Sequence, residues 1–199
     1  MSALKMGTAT LATENAGSID IERASFPAGT VLRVFSKTIT EHETLGSGNS
    51  GGTPYTIPGT DQNGNGSIFS VTITPLSASN KIMLFGDLSM ALSDSFNYNF
   101  YWAFYRSIGG ATATTIGIGT EGTGTNLTGG YNMYISAGAV PFLFGNMKHF
   151  MDSPNTTSEV KYHIQAGAAD SNATLYINRR GNNDSIGGIS TITAMEIAG

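Results

Sequence analysis

Hydrophobic and polar residues alternate along much of this chain with a period of two, which places successive side chains on opposite faces of a β-strand. The clearest alternation covers residues 158–166, where Val160, Tyr162, Ile164 and Ala166 are separated by polar positions. This pattern predicts an antiparallel strand with one face in the core and the other in water.

The same period recurs in further segments, which are bounded by turn-forming Gly, Pro, Asn and Asp residues. No segment shows the 3.6-residue period of an amphipathic helix. About eight to ten short strands predict an all-β fold, namely an antiparallel β-sandwich of the jelly-roll type. The other strand predictions cover residues 31–40, 67–74, 81–92, 97–106, 131–136, 140–151, 173–179 and 189–197.

The pattern divides the chain into two parts. Residues 1–29 are weakly patterned, whereas alternation is strong and continuous from about residue 30 onward. Residues 46–66 interrupt it with a long loop rich in Gly, Asn and Ser. We therefore predict an N-terminal attachment arm, residues 1–29, followed by one β-sandwich knob domain, residues 30–199, a size typical of a single domain.

Composition narrows the function classes. Charged residues make up 12% of the chain, about half the ~25% of an average soluble domain. The net charge of -4 argues against nucleic-acid binding, which favours basic surfaces. No segment has the ~20 apolar residues of a membrane span, and the N-terminus lacks the apolar core of a secretory signal. With no Cys, disulfides, thiolate nucleophiles and zinc–cysteine sites are excluded.

Two motif matches fail on their context. Gly117, Gly119 and Gly122 fit the dinucleotide fingerprint, but Thr and Gly follow where that fingerprint requires a helix, so we interpret the segment as a hairpin loop. Residues 61–66, from Asp61 to Gly66, copy the first half of a calcium-binding loop. Its twelfth position is Thr72 instead of a bidentate Glu, which predicts a turn and leaves only weak metal binding open there.

The sequence offers no assembled catalytic group. His42, His149 and His163 are not spaced as metal ligands, and the carboxylates form no recognisable glycosidase pair. His149 lies near Asp152 and Ser153, but a triad is defined by geometry, which sequence does not supply. We expect no catalytic, cofactor-binding or metal-binding residue, and hence not an enzyme.

The aromatic strand at residues 97–106 carries the candidate interface. Its even positions, including Trp102 and Phe104, fit a core face, while Tyr101 and Tyr105 fall on the other face. Aromatic rings with a polar tip are enriched at protein interfaces. Tyr101 and Tyr105 therefore indicate a subunit contact or a strand buried on both faces; a stacking platform for sugar rings is the alternative.

Five further segments are informative when they are taken together: residues 70–82, 104–106, 151–162, 175–179 and 190–198. These segments resemble the C-terminal module of virion proteins of tailed bacteriophages, which are often described as tail-fibre-like. The similarity covers roughly residues 30–199 and carries no catalytic signature. It implies a β-sandwich that works as a symmetric trimer on a virus particle, with neither catalytic residues nor cofactors.

From this resemblance we expect a homotrimeric virion structural protein of tail-fibre, collar or head-decoration type, assembled in the host cytoplasm and aiding host attachment. The chain lacks a long shaft, which leaves its position on the particle open. The arm is expected to dock on other virion proteins, and a host surface glycan is a candidate partner. The alternatives are a carbohydrate-binding module and a depolymerase that cleaves host polysaccharide.

Overall fold

The structure of the protein is a computed structural model, and every regular element in the part it describes is a β-strand. The described residues are 3–6, 9–15, 18–21, 26–47, 55–58, 68–92, 98–118, 131–135, 143–168, 174–181 and 187–199.

The first three strands form a small sheet of their own. They are β1 (Ala3–Met6), β2 (Ala9–Asn15) and β3 (Ser18–Ile21), paired antiparallel in the order β1-β2-β3. They lie in the segment whose weak pattern predicted an attachment arm. No strand was predicted there, because β1 and β3 have only four residues each and the apolar residues of β2 do not alternate regularly with polar ones.

The remaining strands form two six-stranded antiparallel sheets. Sheet I contains β4 (Val31–Ile39), β5 (Glu43–Ser47), β8 (Lys81–Leu92), β12 (Phe144–Asp152), β14 (Thr174–Ile177) and β15 (Ser190–Ile197). Sheet II contains β6 (Tyr55–Thr56), β7 (Ser70–Ile73), β9 (Tyr98–Ile108), β10 (Thr114–Ile116), β11 (Tyr131–Ile135) and β13 (Val160–Ala168).

Several of these strands are collinear halves of longer ones. Both β14 and β15 pair with the same edge of β8, and β5 and β4 pair with them in turn. Likewise, β10 and β11 pair with one edge of β9, while β6 and β7 pair with one edge of β13. Counting each collinear pair once leaves eight strands, four in each sheet.

The strand order identifies the architecture. Numbered in chain order, the eight strands are β4/β5, β6/β7, β8, β9, β10/β11, β12, β13 and β14/β15. Sheet I then has the order 1-8-3-6 and sheet II the order 2-7-4-5. This is the order of an eight-stranded jelly roll made of two Greek keys, so the all-β sandwich predicted from periodicity is confirmed.

The core lies between the two sheets and is filled by the alternating apolar positions of both. Trp102 and Phe104 of β9 are fully buried and meet edge to face, with ring centroids 5.4 Å apart. Both rings pass over Gly86 of β8, where a Cβ atom would lie 2.8 Å from Trp102 and 3.0 Å from Phe104. Glycine is therefore required at that crossing. Burying each large side chain contributes about 1.5–3 kcal/mol.

The buried side chain of Asn178 connects the strands on both sides of the break between β14 and β15. Asn178 has a left-handed φ of 59°, which Asn tolerates better than most residues. Its backbone N–H donates to the Ser89 carbonyl (2.9 Å), and its side-chain Oδ1 accepts from the Ser190 hydroxyl (2.7 Å). Its Nδ2 donates to the carbonyls of Ile39 (3.0 Å) and Glu41 (3.2 Å), between β4 and β5. One side chain thus joins both broken strands of sheet I.

Candidate functional site

The predicted interface residues lie on the outer face of sheet II, away from the core. Strands β9 and β13 are neighbours there, and their register pairs Tyr101 with Gly167, Ala103 with Gln165, and Tyr105 with His163. These odd-numbered positions face outward because the even-numbered ones, such as Trp102 and Ile164, fill the core.

Tyr101 is buried within the chain itself, at 5% exposure. Its ring lies over Gly167, where a Cβ atom would be 2.7 Å from the hydroxyl oxygen, so this close approach requires glycine. Burial raises the pKa of Tyr101, and the neighbouring Tyr105 and Tyr55 add to the increase. The more accessible of the two predicted tyrosines is Tyr105, which is half-buried.

Tyr105 stacks on His163, with ring centroids 5.5 Å apart and an interplanar angle of 27°. The Gln165 amide nitrogen lies 3.1 Å from His163 Nε2 and 3.2 Å from the Thr56 hydroxyl. Burial, with a smaller contribution from Lys161, lowers the pKa of His163 to about 4. The ring is therefore neutral at pH 7.

The outward face of β13 is less exposed to solvent than its alternation of apolar and polar residues predicts. A wet face was expected at the polar positions, but His163 is only 5% exposed. Its Nδ1 is buried and has no hydrogen-bond partner within the described part of the chain. The resulting surface can stack on a flat group through Tyr105 and can hydrogen-bond through Gln165 and Thr56.

An ion pair and a hydrogen bond tie the two sheets together at Asp152. This carboxylate, 6% exposed at the end of β12 in sheet I, accepts from Arg106 Nη1 of β9 and from the Tyr162 hydroxyl of β13, both at 2.7 Å. Burial raises the pKa of Tyr162, and the hydrogen bond to Asp152 raises it further. Each oxygen of Asp152 thus binds a different strand of sheet II.

A second buried carboxylate fixes the connection from β7 to β8. Glu196 of β15 is fully buried and accepts from the Leu76 backbone N–H (2.6 Å) and the Asn80 amide (2.7 Å). Its other oxygen accepts from Arg33, whose Nε lies 2.8 Å away and whose Nη2 also donates to the Thr74 carbonyl at 2.6 Å. The charge of Glu196 is therefore fully compensated by donors.

The structure separates the three residues that resembled triad parts. His149 is exposed on the outer face of β12, whereas Asp152 points inward, so they lie on opposite faces of one strand. Both oxygens of Asp152 are already bound by Arg106 and Tyr162. Ser153 is exposed just beyond the strand end.

The two failed motifs are only partly described. Gly117 follows β10 with a left-handed φ of 64°, as a turn requires, but Gly119 and Gly122 lie outside the described residues. The Asp61–Gly66 loop also lies outside them, although Thr72 is within β7, as predicted. Among the described residues, no group of three or more His, Cys, Asp or Glu side chains could hold a metal ion, and no helix could span a membrane.

Sequence reasoning missed the two structural carboxylates and the role of His163. The signal for Glu196 is its phase, because it continues the core-facing series of Ile192 and Ala194 in β15. Asp152 likewise falls at a core-facing position, at the end of β12. No comparable signal exists for His163, since its stacking on Tyr105 depends on the register of two strands far apart in sequence.

No family model and no curated protein sequence matches this chain. Solved structures of infectious bursal disease virus are similar to it. The Gx strain structure shows 15% identity and a TM-score of 0.40 over 94% of this chain and 40% of that chain. The Gt strain structure shows 12% identity and a TM-score of 0.40, covering 94% and 46% of the two chains.

A crystal structure of the VP2 subviral particle of infectious bursal disease virus shows 12% identity and a TM-score of 0.36, covering 83% of this chain and 38% of that chain. This chain spans less than half the length of each of the three matched chains.

Proposed function

We propose that this chain is a structural protein of a bacteriophage particle, a trimeric β-sandwich knob exposed on the virion that aids host attachment. The observation that carries the proposal is the strand order 1-8-3-6 and 2-7-4-5 of sheets I and II. This jelly roll recurs in viral capsid and lectin domains. The resemblance of residues 151–162 and 190–198 to phage virion proteins supports the same role.

The way the sheets are held together suits a protein that works outside a cell. The buried carboxylates of Asp152 and Glu196 tie neighbouring strands and connections through fully partnered hydrogen bonds. These ties need no disulfide, and the chain has no Cys. The N-terminal arm is proposed to dock the knob on another virion protein.

The outer face of sheet II is the proposed trimer contact. Tyr105 presents a half-buried ring supported from behind by neutral His163, so a neighbouring subunit can cover it without desolvating a charge. Light scattering at submicromolar concentration should give about three times the chain mass. Tyr105→Glu should reduce that mass with the fold retained by circular dichroism, and Ser158→Glu, exposed before β13, is the matched control. A trimer unchanged by Tyr105→Glu would place the contact elsewhere.

Quantitative mass spectrometry of purified particles tests the virion role. Hundreds of copies per particle would indicate head decoration, whereas a few copies in threes or sixes would indicate a tail or collar position. Absence from purified particles would overturn the proposal.

A carbohydrate-binding module is the second candidate, favoured by Tyr105 with the polar groups of Gln165 and Thr56 beside it. A glycan array with the isolated knob tests it, and binding lost in Tyr105→Ala would support it. The chain is proposed to be no enzyme. New reducing ends after incubation with host polysaccharide would contradict that part of the proposal.

A further inference from the structure

The outer face of sheet I carries a continuous apolar band that crosses all four strands. The register of β12, β8, β15 and β4 places outward side chains side by side in rows. The apolar row consists of Met151, Met83, Met195 and Val34. The next row along the strands consists of His149, Phe85, Thr193 and Ser36.

This face is open to solvent. In the apolar row, Val34 is 54% exposed and Met151 39% exposed, while Met83 and Met195 are half-buried. A contiguous apolar patch of this kind on a folded surface marks a contact site. A second sheet packed face to face, about 10 Å away, would cover this four-strand-wide face.

The two charges on the central strand define the partner. Strand β8 presents Lys81 at one end of the face and Asp87 at the other, both exposed, with Met83 and Phe85 between them. Six residues of extended chain separate the charges by about 20 Å, so they cannot pair with each other. Neither has an ion-pair partner among the residues that the structure describes.

A two-fold axis parallel to sheet I and perpendicular to β8, passing outside Leu84 midway between the two copies, satisfies this arrangement. The rotation places Lys81 opposite Asp87 of the second copy and Asp87 opposite its Lys81. Between the charges, Met83 faces Phe85 of the second copy, and Phe85 faces Met83 of that copy. Both are favourable sulfur–aromatic contacts. Such reciprocity, in which residue i meets j and j meets i, defines a two-fold interface.

Under the same two-fold rotation, the neighbouring strand β15 also packs against β15 of the second copy. Met195 faces Thr193 of the second copy, and Ile197 faces its Thr191. The hydroxyls of this region are already paired within the sheet, Thr193 with Ser36 at 2.8 Å and Thr191 with Thr38 at 2.9 Å. They can therefore be covered without losing a hydrogen-bond partner.

The size of the face suits a modest interface. Four strands about 4.8 Å apart and four rows about 6.8 Å apart, with the rim side chains, cover roughly 600 Å² per copy. The total of about 1,200 Å² is at the lower end of the range for specific interfaces. We expect association in the micromolar range, strengthened where many copies are held together.

We propose that the outer face of sheet I is a two-fold contact with a second copy of this chain, fixed by reciprocal pairing of Lys81 and Asp87. This goes beyond the proposed function and does not depend on it. The contact lies on the opposite side of the sandwich from Tyr105, so both contacts can exist in one assembly. A monomer would become a dimer, and a trimer whose three-fold axis crosses the two-fold axes at right angles would become a hexamer.

Two single variants and their mixture test the contact. Lys81→Asp places two Asp pairs face to face, and Asp87→Lys places two Lys pairs face to face. Each single variant should raise the Kd of the two-fold association, which doubles the mass, by about 100-fold or more, because opposed like charges are strongly unfavourable. Sedimentation measures this constant. Mixing the two variants restores two opposite-charge pairs, so a 1:1 complex of wild-type mass should form.

Glu159→Lys, an exposed charge reversal outside this face, is the matched control and should leave the doubling unchanged. The inference is overturned if the wild type shows no doubling up to about 100 µM, well above the expected micromolar range. It is equally overturned if either single variant doubles like the wild type, or if the mixture stays dissociated. Loss of the trimer in Tyr105→Glu, with doubling retained, would separate the two contacts.

Discussion

The chemistry of His163 follows from its burial between neighbouring strands. The imidazole is 5% exposed, stacks on Tyr105 and is contacted by the Gln165 amide. Desolvation disfavours the charged ring, so the folded protein holds it neutral where an exposed histidine would begin to protonate. This makes His163 a source of acid sensitivity in the sheet II surface.

We predict that His163 destabilises the fold as pH falls from about 6.5 to about 4. In that window the unfolded chain binds a proton that the folded chain does not, so the free energy of unfolding decreases with decreasing pH. It is unaffected by this group above pH ~6.5. The full effect is roughly 2–3 kcal/mol.

Urea unfolding across this pH range should therefore show a shallower pH dependence for His163→Gln than for the wild type. His149→Gln, at an exposed position of β12, is the control and should keep the wild-type slope. Equal slopes for His163→Gln and wild type would show that the ring protonates without cost in the folded state.

Strand β12 contains a buried charge at the edge of sheet I. Lys148 points inward, its Nζ is buried, and it has no hydrogen-bond partner within the described part of the chain. Burial lowers the pKa of Lys148. An inward-pointing charge on an edge strand opposes the addition of a further strand, because pairing would bury the charge more deeply.

Replacing Lys148 by Met should stabilise the fold and, in the same variant, increase aggregation. The apolar side chain keeps the length but removes the desolvation cost, so the free energy of unfolding should rise by about 1–2 kcal/mol. Aggregation at high concentration should increase in the same variant, measured by turbidity on heating. A destabilised Lys148→Met would instead mean that the ammonium has a favourable partner in solution.

The break between β14 and β15 depends on Asn178 in two separable ways. Its side chain makes the hydrogen bonds to Ser190, Ile39 and Glu41, while its backbone holds a left-handed φ. Asn178→Gly keeps the backbone conformation and loses only the side-chain bonds, at a cost of about 2–3 kcal/mol. Asn178→Ala should cost about 1 kcal/mol more, because alanine is strained at this φ.

Chemical denaturation of both variants measures the difference. Asn155, which is exposed and also has a left-handed φ of 52°, offers the control position for the same two exchanges. If the Gly and Ala variants are equally stable, backbone strain contributes nothing at this junction.

At the scale of elements, periodicity was sufficient where a strand is long and has one buried face. The prediction for residues 81–92 matches β8 at both ends, and those for 31–40 and 189–197 match β4 and β15 within a residue at each end. The short strands β5 and β10 were missed because so few residues cannot display alternation. The separate predictions for residues 173–179 and 189–197 contain the break between β14 and β15. That the two strands are collinear was not predicted, since it depends on the pairing of both with β8.

The candidate surfaces were harder to predict than the strands. The outward direction of Tyr101 and Tyr105 follows from the same alternation that buries Trp102, and the structure bears it out. The neighbours that cover these residues come from β13, more than 50 positions away. Sequence spacing does not give cross-strand register, so it gave neither the His163 stack nor the apolar band on sheet I.

At the scale of the whole molecule, residues 29 and 30 are hydrogen-bonded to Ala198, just beyond β15 of sheet I. The Gly29 N–H donates to the Ala198 carbonyl at 2.8 Å, and the Ala198 N–H donates to the Thr30 carbonyl at 2.9 Å. Phe26 lines a pocket of about 290 Å³ together with Leu32, the connection from β7 to β8, and Ala198. These contacts make residues 26–30 part of the knob edge, while the strands β1–β3 pair among themselves.

We therefore expect the attachment arm to be separable from the knob only upstream of Phe26. Deleting residues 1–25 should change the free energy of unfolding by less than about 0.5 kcal/mol, because no described hydrogen bond of sheets I and II is lost. Deleting residues 1–30 removes both bonds to Ala198 and should cost about 1–2 kcal/mol. Urea unfolding compares the two truncations, and incorporation into particles should be lost in both. If the protein that lacks residues 1–25 is unfolded, the N-terminal sheet is a structural part of the sandwich rather than an arm.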